Sequence, residues 1–511
     1  MLSLAAVAVG SSTISSFLAE LLLISAVALS CKYLRLPYTI ALVAAGLLVG
    51  LLRGYFELEV QLTPDLLFVI LLPILLFEGA IHLPLQLVLA QIRPILLLAV
   101  PGLLITTALV GWTLHLLLDL PLSATLVFGA LISATDPIAV LALFKELKAP
   151  KELTVIVEGE SLLNDGTAVV VFHLLVTAAL GGKISPFKGC LMFLLEAGGG
   201  LLLGAALGWL VWKAQEKIDD HLIEMTLSTI LAYGSYLLAQ QLHASGVMAV
   251  IAAGLVYGNF AMSQSMSANT RLALGSSWDY LGFLCNSLVF LLIGTQVDLS
   301  LLLSRSGPIL LAFVVVTLAR ALAVAVLAPW ARLPGKWYPV VIWAGLRGSI
   351  AMALAMAINL PQRQEILLLT FGCVLLSVFV QGLSIKGLLH RLGMGFKSES
   401  VRSYEADWAE LAAQEKALAL LRNRRSRRLI SQDVYEQMAR PLERAIRRLE
   451  EKVAENEARA EIRDQQYQEA AAALSNARRW ALREAFQKNQ IDEKTYLELG
   501  EKLSRVSEEE P

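Results

Sequence analysis

The sequence predicts an all-α membrane protein with a polar helical tail, and three observations carry that expectation. Of its 511 residues 56% are hydrophobic and 17% charged, with a mean hydropathy of +0.64, too apolar for a soluble chain of this length. The charges are unevenly spread: residues 1–396 hold 40 of the 85, and the 115 residues from Lys397 onward hold the other 45. Apolar runs of roughly 20 residues recur through the first part, bounded by Pro, Gly or charge, as helices crossing hydrocarbon require. The chain therefore divides into a transmembrane body, residues 1–396, and a charged helical tail, residues 397–511.

Thirteen spans are expected, beginning near residues 16, 38, 64, 94, 122, 152, 188, 221, 246, 277, 306, 337 and 364, the last ending near Arg391. The short loops on the side shared with the C-terminus receive eleven Lys and Arg, including Lys32, Arg93 and Lys145, against five on the other side. The positive-inside rule then puts the C-terminus in the cytoplasm and the N-terminus outside. The apolar N-terminus has no basic flank or small-residue cleavage site and is read as retained.

Starts of the first six spans recur in spans 8 to 13 at an offset of about 205 to 215 residues, and one stretch repeats in its letters. Thr39 to Gly50 reads TIALVAAGLLVG and Val247 to Gly258 reads VMAVIAAGLVYG, identical at six of twelve positions. Copies an odd number of spans apart have opposite polarity in the membrane, so two inverted six-helix repeats are expected, the plan of secondary transporters. In span 5, LISATDPIAVLAL, Pro137 removes a backbone donor and biases Asp136 away from helical angles. Its counterpart, span 12, reads WAGLRGSIAMALA, with Gly345 and Gly348 bracketing Arg347. Two helices interrupted at matching places point to an ion site near the midplane.

A charge at mid-bilayer costs at least ~2.5 kcal/mol, so ionisable residues in spans are candidates for function. They are Glu78, Asp136, Glu158, Glu160, Asp165, Arg320 and Arg347. In span 6, VEGESLLNDGTAVVVF, Ser161 and Asp165 share one helical face and Glu160 and Asn164 the adjacent one. A carboxylate and a hydroxyl on one face suit a hard cation, which takes oxygen ligands. Glu158 reads as an interface or structural residue, and Asp279 as a residue near a span end.

The runs TDP (Thr135 to Pro137), GESLLNDGTA (Gly159 to Ala168) and GLRGSIAMALA (Gly345 to Ala355) resemble the sodium/proton exchangers of the cation:proton antiporter-1 family, over about residues 14–391. The resemblance implies 13 helices, two crossed broken helices, and a homodimer working by an elevator-like motion. It also implies residue roles. Asp165 is similar to the family's ion-binding, proton-carrying aspartate, and Asn164 to its neighbour in the Asn-Asp pair. Ser161 and Glu78 resemble cation ligands, joined by the main-chain carbonyl of Thr135, and Asp136 resembles the polar residue of the helix crossing. Glu160 resembles the acid that pairs with an arginine, here Arg320. Arg347 resembles the arginine of the second broken helix, expected to compensate carbonyl ends.

The leading function is thus exchange of a monovalent cation, sodium first with lithium or potassium as alternatives, against protons competing at Asp165, in pH and sodium homeostasis at the cell membrane. Because Asn164 cannot ionise where some relatives carry a second aspartate, the expected exchange is electroneutral at one for one. An intramembrane protease is the second class: Gly159-x-Ser161 superficially resembles a serine type and Asp136 with Asp165 an aspartyl type. No histidine is placed as a base, and the aspartyl context is missing. A cation channel is the third, without a recurring filter motif. A net charge of −1 gives no reason for a nucleic-acid partner, and the four cysteines lack metal or disulfide spacing. No cofactor is expected.

The tail shows helical periodicity at Tyr404 to Leu421 and Pro441 to Leu474. An I-x-x-x-x-Y spacing at Ile430 to Tyr435 and again at Ile491 to Tyr496 suggests two helical hairpins. The basic run Arg422 to Arg428 suits membrane lipid headgroups or a solvated helix face.

Overall fold

In the computed structural model the described residues are 18–51 apart from 19 and 32–37, 63–393 apart from 148, 182–184, 217–219 and 297–298, then 399–457 and scattered later positions. They form helices and no strands. The chain divides into two compact units, Met1–Gly395 and Phe396–Pro511.

In the first unit α1 is Glu20–Cys31, α2 Tyr38–Leu51, α3 Leu66–His82 and α4 Ile92–Leu118. The fifth hydrophobic stretch is split into α5, Leu122–Ser133, and α6, Ile138–Leu147. Next come α7, Lys151–Ala179, α8, Pro186–Gln215, and α9, His221–Gln241. They are followed by α10, Gly246–Met262, α11, Ala268–Thr295, and α12, Ser306–Ala331. A second split stretch gives α13, Tyr338–Trp343, and α14, Ser349–Met356, before α15, Arg363–Arg391. Eight of the described hydrophobic stretches are long and apolar enough to cross a membrane, and α1, α2, α3 and α10 are shorter apolar helices.

Local chemistry explains the starts. Pro150 precedes α7, where a missing N–H costs nothing. Side chains of Ser185, Asp220, Ser245 and Ser267 accept hydrogen bonds from first-turn N–H groups of α8, α9, α10 and α11. The Ser267 cap starts α11 at Ala268, well before the expected start near residue 277. Its first turns, ANTRLALGSS, are too polar for a hydropathy reading to include.

The two stretches that repeat in sequence do similar work. A Cβ on Gly46 of α2 would overlap the Leu291 carbonyl of α11 and approach Gly294, and one on Gly254 of α10 would lie 2.7 Å from Ala80 Cβ of α3. Small residues let both pairs of backbones close up, which is how helices associate where lipid offers no hydrophobic drive.

In the second unit α16, Glu399–Ser426, and α17, Gln432–Glu457, form a helical hairpin. The basic run closes α16, where cations face the carbonyl end of the dipole, and Arg428 turns the chain with φ 56°. Arg425 stacks over Tyr435 at 4.8 Å, joining the two helices. Pro441 lies inside α17 rather than at its start, because the helix is already running from Gln432. The expected second hairpin at Ile491 to Tyr496, the helix beyond Glu457 and the chain before residue 18 lie outside the described residues.

Candidate ion site at the broken helices

The two interruptions meet. The N–H of Asp136, in the break between α5 and α6, donates to the carbonyl of Leu346, in the break between α13 and α14, at 2.8 Å. The ends of the half-helices at the breaks are met by opposite charge or by polar groups, α13 by Arg320 Nη2, which donates to the Val341 carbonyl at 3.4 Å. Arg347 Nη1 donates to the Ser133 and Ala134 carbonyls at 3.1 and 3.4 Å, at the carbonyl end of α5. Its own N–H donates to Ser377 Oγ at 2.9 Å. Asp136 Oδ1 accepts from the Ile138 N–H at 3.2 Å, at the N-terminus of α6. A Cβ on Gly348 would overlap the Asp136 carboxylate, so glycine is what lets the N-terminus of α14 approach the same acid. Cation at carbonyl ends and anion at N-termini is the favourable sense of both helix dipoles.

Helix α7 crosses beside the breaks and supplies the remaining polar groups. Glu160 makes a two-pronged ion pair with Arg320 of α12, both contacts at 2.9 Å and both residues buried. Asn164 Nδ2 lies within hydrogen-bonding distance of Glu160 Oε1, the Ser133 carbonyl and Thr135 Oγ1, at 3.2, 3.0 and 3.2 Å. Its amide therefore works as a donor that ties α7 to the end of α5. Ser161 Oγ donates to the Thr135 carbonyl at 2.6 Å.

A cavity of about 430 Å³ opens against these groups. The structure brings Glu78, Thr135, Asp136, Ser161 and Asp165 together on its wall, whereas Asn164, Glu160, Arg320 and Arg347 do not line it and hold the wall from behind. The lining also includes Glu158, His82, Asp279 and Lys145, which the sequence reading did not place in a site. For Glu158 and His82 a signal was present: residues 158, 161 and 165 fall on one helical face, as do 78 and 82. Asp279 had none, since it arrives from α11 through tertiary packing. Gly282, one turn on, makes room: a Cβ there would lie 2.9 Å from Glu78 Cγ.

An oxygen-rich cavity at two broken helices, with one buried carboxylate outside the ion-pair network, defines the class as an ion-translocating helical membrane protein. Comparison with known proteins sharpens this. Residues 19–391 match the family described as sodium/hydrogen exchanger, transmembrane. The Na(+)/H(+) antiporter NhaG of Bacillus atrophaeus is 39% identical over 396 residues, covering 75% of each chain. The Na(+)/H(+) antiporter NhaH of Halobacillus dabanensis is 37% identical, over 73% of this chain and 98% of that one. The solved sodium proton antiporter MjNhaP1 from Methanocaldococcus jannaschii shares the fold, with a TM-score of 0.64 at 23% identity over 75% of this chain and 99% of that one. The chain belongs to the sodium/hydrogen exchanger family, a family of transporters rather than enzymes, which removes the protease alternative.

The Glu160 and Arg320 pair yields the first test. Removing one partner of a buried pair leaves an uncompensated charge and costs about 3 to 5 kcal/mol. Glu160→Gln and Arg320→Gln should each lower the thermal midpoint of the purified protein. The double variant should lose clearly less than the sum of the two; strictly additive losses would speak against direct coupling.

Proposed function

We propose that the protein exchanges a monovalent cation, sodium before lithium or potassium, for protons, and that the two compete for Asp165. The observation that carries this reading is the cavity wall itself. Asp165, Ser161, Glu78 and the Thr135 carbonyl face one space from three elements, while Glu160 is matched by Arg320. A carboxylate there is too costly to carry across a low-dielectric barrier bare, so it crosses with a proton or with a metal cation. Each proton released frees an oxygen site for one cation, and an empty charged carrier stays where it is. Exchange follows from the competition, and acidification raises the cation concentration needed for half-saturation.

The wider proposal is thirteen spans in two inverted repeats, a homodimer in the cell membrane with its C-terminus in the cytoplasm, and transport by an elevator-like movement. The parallel packing of Gly46 and Gly254 supports the repeats. Broad lipid-facing surfaces on α8, where Leu194, Leu195 and Leu202 are exposed, leave room for a second copy or for lipid.

Asp165→Asn removes the only group assigned to alternate between proton and cation. In proteoliposomes it should show no cation-driven proton movement while remaining folded by size-exclusion chromatography; retained exchange would move the site elsewhere. Ser161→Ala should keep exchange and weaken cation affinity roughly tenfold, the loss of about 1.4 kcal/mol.

The stoichiometry follows from the same groups. Asn164 does not titrate, Glu160 is balanced by Arg320, and Asp136 sits at the start of α6, so one proton is traded for one cation and no net charge moves. With potassium first shown not to be carried, a potassium/valinomycin potential across the vesicle membrane should leave both rate and end point unchanged. A voltage-dependent end point would require a second titrating group, with Glu78 the first to examine.

The tail is assigned a regulatory role, because every residue of the ion path precedes Arg391. Truncation after residue 400 should leave exchange with a shifted pH or affinity profile. Loss of all activity from a folded, inserted truncation would place part of the transport machinery in the tail.

A further inference from the structure

At the mouth of the cavity three side chains from two helices converge. Glu78 and His82 lie one turn apart at the end of α3, and Asp279 comes from α11. One ligand atom from each falls within 4.8 Å of the others. His82 Nδ1 is 2.9 Å from the main-chain carbonyl of Glu78. A carbonyl only accepts, so Nδ1 carries the hydrogen in that bond and a neutral ring presents a bare Nε2. An outer hydrogen bond of this kind is how metal-binding imidazoles are oriented.

Nε2 points to Asp279 Oδ1 at 3.4 Å. That is within reach of an ion pair when the ring is protonated, though longer than the roughly 2.7 to 2.9 Å of a charge-assisted hydrogen bond. It equals the edge of a tetrahedron whose centre lies about 2.1 Å from each corner, the bond length of zinc to nitrogen or carboxylate oxygen. The Glu78 carboxylate is laid over Gly282 with Oε1 3.7 Å from His82 Nδ1, on the hydrogen-bearing side of the ring, so it joins an ion held at Nε2 by turning about its own side-chain bonds. All three side chains line the cavity and are partly exposed, at 30% for Glu78, 39% for His82 and 64% for Asp279, so an ion entering the cavity reaches them.

We propose that Glu78, His82 and Asp279 form an inhibitory site for a divalent transition-metal ion of the zinc or cobalt class. One imidazole nitrogen and two carboxylates suit such an ion, whereas sodium has little use for a nitrogen ligand. Water from the cavity fills the remaining positions. The bound ion holds Glu78 away from the cavity and adds positive charge across its mouth, so a monovalent cation neither enters nor leaves. This role rests on the proposed ion path, but the binding itself does not.

The test has two arms. Tag-free full-length protein in detergent is titrated with Co2+, read by its visible absorption and by bound metal per chain. Exchange in proteoliposomes is then measured against added Zn2+, each variant relative to its own uninhibited rate. We expect one Co2+ per chain, with Zn2+ inhibition shifted at least tenfold to higher concentration in His82→Gln and also shifted in Asp279→Asn. His221→Gln, on an exposed histidine elsewhere, should behave as the unaltered protein. Absence of Co2+ binding, equal binding by His82→Gln, or binding without inhibition overturns the proposal. Co2+ binding that depends on His82 in a protein that exchanges no cation for protons would instead overturn the transport reading and keep the metal site.

Discussion

A helix that stops inside a membrane leaves carbonyls at one end and N–H groups at the other with no water to satisfy them. The structure depends on how those ends are met. Two breaks are placed against each other and joined by a single main-chain hydrogen bond from Asp136 to Leu346. Arg347 answers the carbonyls of Ser133 and Ala134, and Asp136 answers the N–H of Ile138. Arg347 of one break answers the carbonyl end of the other, and the Asp136 carboxylate in turn lies against Gly348 at the start of α14. Helix α7 then has a fixed wall to pack on, and its Glu160, Ser161 and Asn164 are all held to that wall or to Arg320.

The consequence is a division of labour among buried charges. Glu160, Arg320 and Arg347 are matched by partners within hydrogen-bonding distance, and Asp136 sits at a helix start. Asp165 is left facing the cavity. An internally balanced set of charges thus stands behind a cavity wall on which Asp165 is the buried carboxylate, the arrangement the proposed competition between proton and cation relies on.

Much of the fold was legible because its signals are local. Pro137 and the pair Gly345 and Gly348 announce the breaks in a few letters, and hydropathy locates the helices. The start of α11 was not, because its first turns are polar and only the Ser267 cap marks them. Pro441 misled for the opposite reason: a residue that prefers a helix start lies within one. At the site, the faces of α7 could be drawn from spacing alone, including the stripe through Glu158 that was then left out of the cavity. The convergence of His82 and Asp279 on Glu78 depends on how α3 packs against α11 and on the missing side chain of Gly282. The spacing of four between Glu78 and His82 was legible within α3, but no spacing encodes the arrival of Asp279 from α11.

The hydrogen bond from Ser161 to the Thr135 carbonyl, at 2.6 Å, has a kinetic side. Two oxygens proposed to hold the cation are content with each other when it is gone. An ion that turns the hydroxyl away would displace that bond, which is worth about 0.5 to 1.5 kcal/mol net, and its departure would restore it. The affinity forgone is then a factor of roughly 2 to 13. At an unchanged rate of arrival the same factor would shorten the dwell time of the proposed ion, favouring turnover over tight capture.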